Sequence, residues 1–210
     1  MRSRRRKADV LNEFRRSELI RSSLRVFGSK GFENATMDAI AREADVAKGT
    51  IYLYYSSKQA IYDAAFRACM AELEDVTRRN VEAAGSVQQA IAAFVGTRVQ
   101  FFQERQDFFR MYVDEIGSQV AAPRHKRSAC SALLFRQMRV LEDVFKKGVV
   151  EGTIRNIDPE SAALAVFDLT RGLVVRELLA HPPRSTTSDV TRVTDLIWAG
   201  LKPARRKQTQ

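Results

Sequence analysis

Lys48, Thr50, Tyr52, Leu53, Tyr54 and Lys58 crowd into a short stretch whose side chains suit recognition better than bond making. If residues from about Lys48 to Tyr55 form a helix, Ile51 and Tyr55 lie four apart on one inward face. The remaining side chains are then left to a partner outside. An ammonium such as Lys48 suits the acceptors of a guanine edge, Thr50 suits either kind of base-edge group, and Leu53 suits a thymine methyl. Lys58 sits where the first turn of the next helix should be, against the helix dipole. A bound phosphate would turn that penalty into a contact.

Other chemistries find little support. The two histidines, His125 and His181, stand beside Pro123 and Pro182 with no nucleophile near them in sequence. The ten glycines form no phosphate-cradling loop, and neither CxxC nor HExxH occurs. Asp114 and Glu115 point to different sides of a helix and read as solvated charges. Cys69 and Cys130 fit no metal or disulfide spacing; buried reduced thiols and a redox switch are both open to them. No catalytic residue, metal or cofactor is therefore expected.

The recognition stretch needs a scaffold, and the residues before it supply one. Met37, Ile40, Ala41 and Ala44 recur at helical spacing, with Thr36 as N-cap and Asp38 in the first turn. Asp45 tolerates a left-handed backbone at the corner, and Val46 plugs the angle between the two helices. An earlier helix, from about Phe14 to Ser29, braces them through Leu19/Ile20, Ser23/Leu24 and Phe27, and ends at the Gly28-Ser29-Lys30-Gly31 punctuation. This is the pattern of a helix-turn-helix, whose second helix enters the DNA major groove.

Phe27, Gly31, Thr36, the Ile40-Ala41 pair, Val46, Lys48-Gly49-Thr50, Tyr52, Tyr54 and Lys58 together resemble the N-terminal signature of TetR-type transcriptional repressors. The likeness runs from about Arg16 to Ile61. It implies DNA-binding roles for Thr36, Lys48, Gly49, Thr50, Tyr52, Leu53, Tyr54 and Lys58, with Thr36, Tyr52, Tyr54 and Lys58 holding phosphates. Two departures stand out. Asp45-Val46-Ala47 replaces the usual Gly-Val-Ser, removing a hydroxyl cap that is typically worth about 1 kcal/mol. Tyr55 replaces a Phe, so its hydroxyl needs water or a partner.

Charge agrees with this placement. Residues 1–62 hold 13 Lys/Arg against 7 Asp/Glu, residues 63–201 hold 18 of each, and 202–210 add 4 bases, within a net charge of +10. The positive field thus lies at the expected DNA reader. Four segments are expected: a disordered basic arm (1–13), a helix-turn-helix domain (14–62), a helical effector-binding and dimerisation domain (63–201) and a basic tail (202–210). The arm reaches phosphates or a minor groove, or is a solvated tail. No secretory pattern or membrane-length apolar run occurs, so no membrane association is expected and the cytoplasm is the default.

From Lys58 a long helix follows, with Ile61, Ala65, Cys69, Leu73 and Val76 on one stripe. The rest reads as further helices and no strand, so the fold expected is all-α: a three-helix DNA-binding domain joined by a long helix to a helical body. The body is rich in large adaptable side chains that either pack as core or line a cavity. The family resemblance implies a small-molecule site there, and the candidates are Met70, Phe94, Arg98, Phe101, Phe108, Tyr112, Phe135, Met138, Phe167 and Arg171. Arg98 and Arg171 would meet a ligand anion or pair with Asp114, Glu115 or Asp168. The last two helices carry apolar groups on more than one face, and Leu173, Val174, Leu178, Leu196, Ile197 and Trp198 are candidates for a homodimer interface. The function expected is ligand-responsive repression at a palindromic double-stranded operator, by a dimer released by a largely apolar effector. A DNA-binding protein of similar fold with no effector is the alternative.

Overall fold

The computed structural model describes residues 2–121, 132–133, 136–179 and 186–203, the side chains of 2–8, 118–121, 177–179 and 186–187 excepted. Among the described residues every regular element is a helix. They are α1 (Arg2–Asn34), α2 (Met37–Glu43), α3 (Lys48–Tyr52), α4 (Lys58–Glu82), α5 (Val87–Glu104) and α6 (Gln106–Ala121). After them come α7 (Met138–Val150), α8 (Pro159–Leu179) and α9 (Thr186–Leu201). Two compact units form, Met1–Met70 with Arg105–Ser131, and Ala71–Glu104 with Ala132–Gln210.

The first unit is α1–α3, the start of α4, and α6. Its helix α1 starts at Arg2 rather than near Phe14, drawing in the stretch expected to be a free arm, and its helical backbone is broken at Gly31. Gly31 has φ 73°, a conformation glycine adopts without a Cβ penalty, which lets the chain bend towards α2. Leu19, Phe27, Ile40, Ala41, Ile51, Ile61, Tyr62 and Phe66 are buried around these helices. A run of aromatic contacts threads them: Phe27 and Phe32 meet Tyr62 edge-on at 5.1 and 5.0 Å, and Phe66 lies 5.6 Å from Phe108 of α6.

Helix α6 approaches α1 closely at Gly28. A Cβ on that residue would lie 2.5 Å from the Cα of Asp107, so only glycine fits. Arg110, one turn further along α6, donates to the Gly28 carbonyl at 2.9 Å. Gly28, expected to help end the helix, serves helix packing instead, and the break comes at Gly31.

The second unit packs the end of α4, α5 and α7–α9. Helix α5 buries Ile91, Phe94, Val95, Val99, Phe101 and Phe102. Against them stand Leu141 and Phe145 of α7, Val166, Phe167, Leu173 and Val174 of α8, and Ile197 and Leu201 of α9. Helix α8 begins where Asp158-Pro159-Glu160 predicts, with the Asp158 carboxylate accepting from the Ser161 N–H at 2.9 Å. The bonds from Ser161 hold the Asp158 carboxyl below the usual carboxylate range. Two buried hydroxyls are satisfied locally, Thr170 donating to the Val166 carbonyl and Thr194 to that of Val190. Helix α7 starts at Met138; Leu134, Phe135, Pro123, His125, Cys130 and His181 lie outside the described residues, whereas Cys69 is buried.

The Gly28 contact generates a paired expectation. Gly28→Ala should lower the unfolding free energy by about 1–3 kcal/mol, because the methyl meets backbone rather than a movable side chain. Gly117→Ala, where the added Cβ meets open space on the same α6, should instead raise it by roughly 0.5–1 kcal/mol. Urea denaturation followed by circular dichroism checks both, and equal effects would show that the contact does not constrain the packing.

Candidate nucleic-acid interface

The corner between α2 and α3 is built as its residues require. Thr36 caps α2, its Oγ1 accepting from the Ala39 N–H at 3.1 Å, which leaves the hydroxyl hydrogen to donate elsewhere. Asp45 has φ 52°, the left-handed conformation expected for it, and the Val46 N–H returns to the Ala41 carbonyl at 2.9 Å. Ala47 is the N-cap of α3 and supplies no side-chain bond to it. A five-residue helix without that cap has little stability of its own, so it depends on what it buries. Ile51 is fully buried and Tyr55 nearly so, as their spacing predicts. Burial pushes the Tyr55 hydroxyl pKa up, with the Arg16 charge acting in the opposite direction.

Helix α3 ends at Tyr52 rather than near Tyr55, and Leu53 is its C-cap. The Tyr54 and Tyr55 N–H groups both return to the Ile51 carbonyl, after which the chain extends so that Ser57 can accept from the Ala60 N–H and cap α4. This early stop turns Leu53 outward, where it is 81% exposed, beside the exposed Tyr52. Lys48 and Gly49 are exposed, with open space around Gly49, while Thr50 and Tyr54 are half-buried. Seven of the eight candidate residues thus lie on α3, the turn after it and the first turn of α4, and the eighth, Thr36, is the N-cap of α2.

Besides Thr36, three of them already have partners for their side chains. Lys48 Nζ lies 2.9 Å from Asp38 Oδ1, and that hydrogen bond raises the lysine pKa, so the ammonium stays charged. The Tyr54 hydroxyl donates to Asn12 Oδ1 of α1 at 3.3 Å, and the Arg16 guanidinium lies 5.8 Å from the same ring. Lys58 donates to the carbonyls of Phe32 and Glu33 at 2.7 and 3.1 Å and sits 4.4 Å from the Phe32 ring centroid. It thereby neutralises carbonyls left open at the end of α1, the place where a helix favours a cation. Sequence reasoning missed Asp38, Asn12 and the Phe32 and Glu33 carbonyls as partners, because none stands at a local spacing from the group it meets.

The candidate effector residues divide between the units. Met70, Phe108 and Tyr112 belong to the first, whereas Phe94, Arg98, Phe101, Met138, Phe167 and Arg171 belong to the second; Phe135 lies outside the described residues. Arg98 is 1% exposed, its guanidinium carbon 4.7, 5.5 and 5.8 Å from the ring centroids of Phe167, Phe94 and Phe102. Arg171 is partly exposed and pairs with Asp168 at 3.0 Å, one of the internal partners anticipated for it. A cavity of about 400 Å³ in this unit is lined by other residues, among them Arg78, Val81, Val87, Val144 and Lys147.

The candidate interface residues divide as well. Leu173, Val174 and Ile197 face the unit's own core, Trp198 is half-buried, and Leu196 is 67% exposed; the side chain of Leu178 is outside the described set. Leu164 and Leu169 of α8 are also exposed. Leu169, Leu196 and Ile197 help to line an apolar groove of about 450 Å³ between α8 and α9.

Comparison with known proteins places this geometry. Residues 19–65 match the profile of the bacterial regulatory proteins of the tetR family. The chain is a TetR-type transcriptional regulator. It is similar to the uncharacterized HTH-type transcriptional regulator YhgD of Bacillus subtilis, at 26% identity over 179 residues, covering 80% of this chain and 87% of that one. It is also similar to the negative transcriptional regulator of the icaADBC biofilm operon, IcaR of Staphylococcus aureus, at 26% identity over 98 residues. That match spans 47% of this chain and 52% of IcaR. The fold of this TetR-type regulator resembles that of FadR from Bacillus subtilis, solved in complex with stearoyl-CoA. The TM-score is 0.75 at 18% identity, with 88% of this chain and 98% of that one covered. No described helix is long and apolar enough to cross a membrane.

Lys58→Met should lower the unfolding free energy by about 1–3 kcal/mol, since two carbonyl oxygens lose a charged donor while the aliphatic stem is kept. A urea midpoint equal to that of the parent protein would show that the α4–α1 clasp contributes nothing.

Proposed function

We propose that this regulator represses transcription by binding a palindromic double-stranded operator as a homodimer, and that a small, largely apolar effector releases it. The observation that carries the reading is the outward set on and after α3: Lys48, Gly49, Tyr52 and Leu53 are all exposed, while Ile51 and Tyr55 anchor the element from beneath. A reader needs that division, since the buried side chains fix the helix and the free ones meet base edges. Lys48 and Thr50 contact base edges and Leu53 a thymine methyl, with Thr36, Tyr52 and Lys58 on phosphates, while the Tyr54 hydroxyl, expected on a phosphate too, has its one proton on Asn12 and holds α1 instead. Lys58 keeps one N–H for that purpose beyond its two carbonyl bonds.

Dimerisation is supported by the exposed leucines of α8 and α9. Leu169 and Leu196 line an apolar groove that a second copy would cover with the same patch, and Leu164 is a further exposed leucine of α8. Core-facing Leu173, Val174 and Ile197 act behind that surface, by fixing the helices that present it. The effector reading draws on the apolar, adaptable interior of the second unit, Phe94, Phe101, Phe102 and Phe167, and on the acyl-CoA ligand of the FadR structure. An effector releases DNA only to the extent that it binds the non-reading geometry more tightly. The negative regulator IcaR supports repression over activation, and a cytoplasmic location follows from work on DNA.

Selection of bound duplexes from a random pool tests the reading, with inverted half-sites as the expected product. Lys48→Ala should relax base preference at one position per half-site by about 1–3 kcal/mol; an unaltered preference matrix would remove Lys48 from base contact. Leu196→Glu should shift the sedimentation profile towards monomer, because it places a charge on an apolar patch that pairs with itself. A variant that stays dimeric at nanomolar concentration would move the interface away from α8 and α9.

A further inference from the structure

We propose that the N-terminal part of α1 is a second DNA-contacting element, which grips backbone phosphates flanking each half-site. The inference rests on the DNA-reading role of α3 proposed above. Between positions 2 and 16 the sequence has seven bases, Arg2, Arg4, Arg5, Arg6, Lys7, Arg15 and Arg16, against two acids, Asp9 and Glu13. Much of the surplus that separates the first 62 residues from the neutral stretch 63–201 is therefore concentrated here.

Structure converts that charge from a diffuse tail into a placed one. Helix α1 is continuous from Arg2 to its break at Gly31. Part-way along it, Asn12 accepts from the Tyr54 hydroxyl at 3.3 Å and Arg16 lies 5.8 Å from the Tyr54 ring. Tyr54 stands two residues beyond the end of α3. The basic helix is thus fastened to the edge of the reading surface, and everything N-terminal to Asn12 overhangs that edge. A helix rises about 1.5 Å per residue, so the ten residues ahead of Asn12 span roughly 15 Å. Along a duplex axis that is the length of about four phosphates on one strand.

The overhang is not there for the unit's own packing. Residues 9–17 are all exposed, including Val10, Leu11 and Phe14 at 62, 60 and 57%. Helical spacing gathers these three apolar groups on one stripe between the basic clusters. A basic helix with such a stripe also suits an anionic membrane surface. The attachment to Tyr54 decides for DNA, since it fixes the helix beside the recognition element rather than leaving it to lie flat elsewhere. On a duplex, the bases meet phosphates and the apolar stripe meets the faces of the intervening deoxyriboses.

The experiment uses the full chain and two duplexes: the selected site with long flanks, and the same site trimmed to its half-sites. The parent should bind the long duplex about tenfold or more tightly than the trimmed one, with hydroxyl-radical protection extending into the flanks. The triple variant R4Q/R5Q/R6Q should bind both duplexes alike, lose the flanking protection and keep the central protection and base preference. Its log–log salt slope on the long duplex should fall by about two to three, at roughly 0.9 for each phosphate no longer neutralised. Asn12→Ala should weaken flanking protection with all basic residues retained, because it removes the attachment. Equal dependence on flank length in parent and triple variant would overturn the inference, as would a lower slope with an unchanged footprint, which marks a diffuse field. Loss of binding to phosphatidylglycerol vesicles with DNA binding intact would overturn it in favour of a membrane. If the parent selects no site at all, the reading of α3 fails first, and the two failures are told apart.

Discussion

The first unit depends on how the C-terminal end of α1 is held. That helix breaks at Gly31, and helix ends leave carbonyl oxygens without intrahelical donors. Two cations from other helices supply donors: Arg110 of α6 reaches the Gly28 carbonyl, and Lys58 of α4 reaches those of Phe32 and Glu33. The absent side chain of Gly28 lets the α6 backbone come near enough for the first of these. Around the same point Phe27, Phe32 and Tyr62 pack edge to face, so polar and apolar contacts converge on one helix terminus. Helix α1 in turn buries Leu19, Val26 and Phe27 and holds Glu43, at the end of α2, through Arg25. The reading helix inherits its position from this chain of supports.

That dependence explains how α3 can be so short. Five residues with an alanine N-cap lie far below the length at which a helix persists alone. Ile51 beneath it and the left-handed Asp45 before it fix its place from two sides. The outward side chains are then spared any structural duty, and Leu53 can stand almost fully exposed. Lys48 is only partly spared. Its ion pair with Asp38 is between two exposed groups and worth little by itself. It does hold the ammonium against Asp38 of α2, so a DNA acceptor would have to compete with a carboxylate for it.

The sequence was most legible where the physics is local. The Thr36 cap, the Asp45 corner, the missing cap at Ala47, the inward pair Ile51 and Tyr55, and the Asp158-Pro159 start of α8 each follow from residues within one turn of one another. Legibility failed where a contact joins distant segments. Nothing near Lys58 in the chain shows that the Phe32 and Glu33 carbonyls will accept from it, or that Asn12 will meet Tyr54. The basic start of α1 reads as an arm because like charges repel, yet arginine, lysine, alanine, leucine and glutamate are also good helix formers, and the structure continues the helix through them. In α8 and α9 periodicity identifies two apolar faces without saying which one the protein covers. Leu173, Val174 and Ile197 are on the covered face, and Leu164, Leu169 and Leu196 are on the other.

The energetics of selection favour two reading helices over one. Specific sites must exceed random DNA by roughly 4–10 kcal/mol before a regulator finds them in a genome, and one good base contact contributes about 1–3 kcal/mol. The exposed set on α3 offers one lysine, one half-buried threonine and one leucine for base edges; only the lysine can make a bidentate pair, so a single copy stops short of the upper end of that range. The large positive surplus of the N-terminal region cannot make up the difference, because phosphate attraction strengthens binding to every sequence alike. Doubling the base contacts through a second copy reaches further into the range without enlarging the reader, and it makes the separation of the two half-sites a further selective variable. On this arithmetic the proposed pairing through the apolar groove of α8 and α9 would complement the short helix α3, since a reader this small would gain selectivity from a second copy.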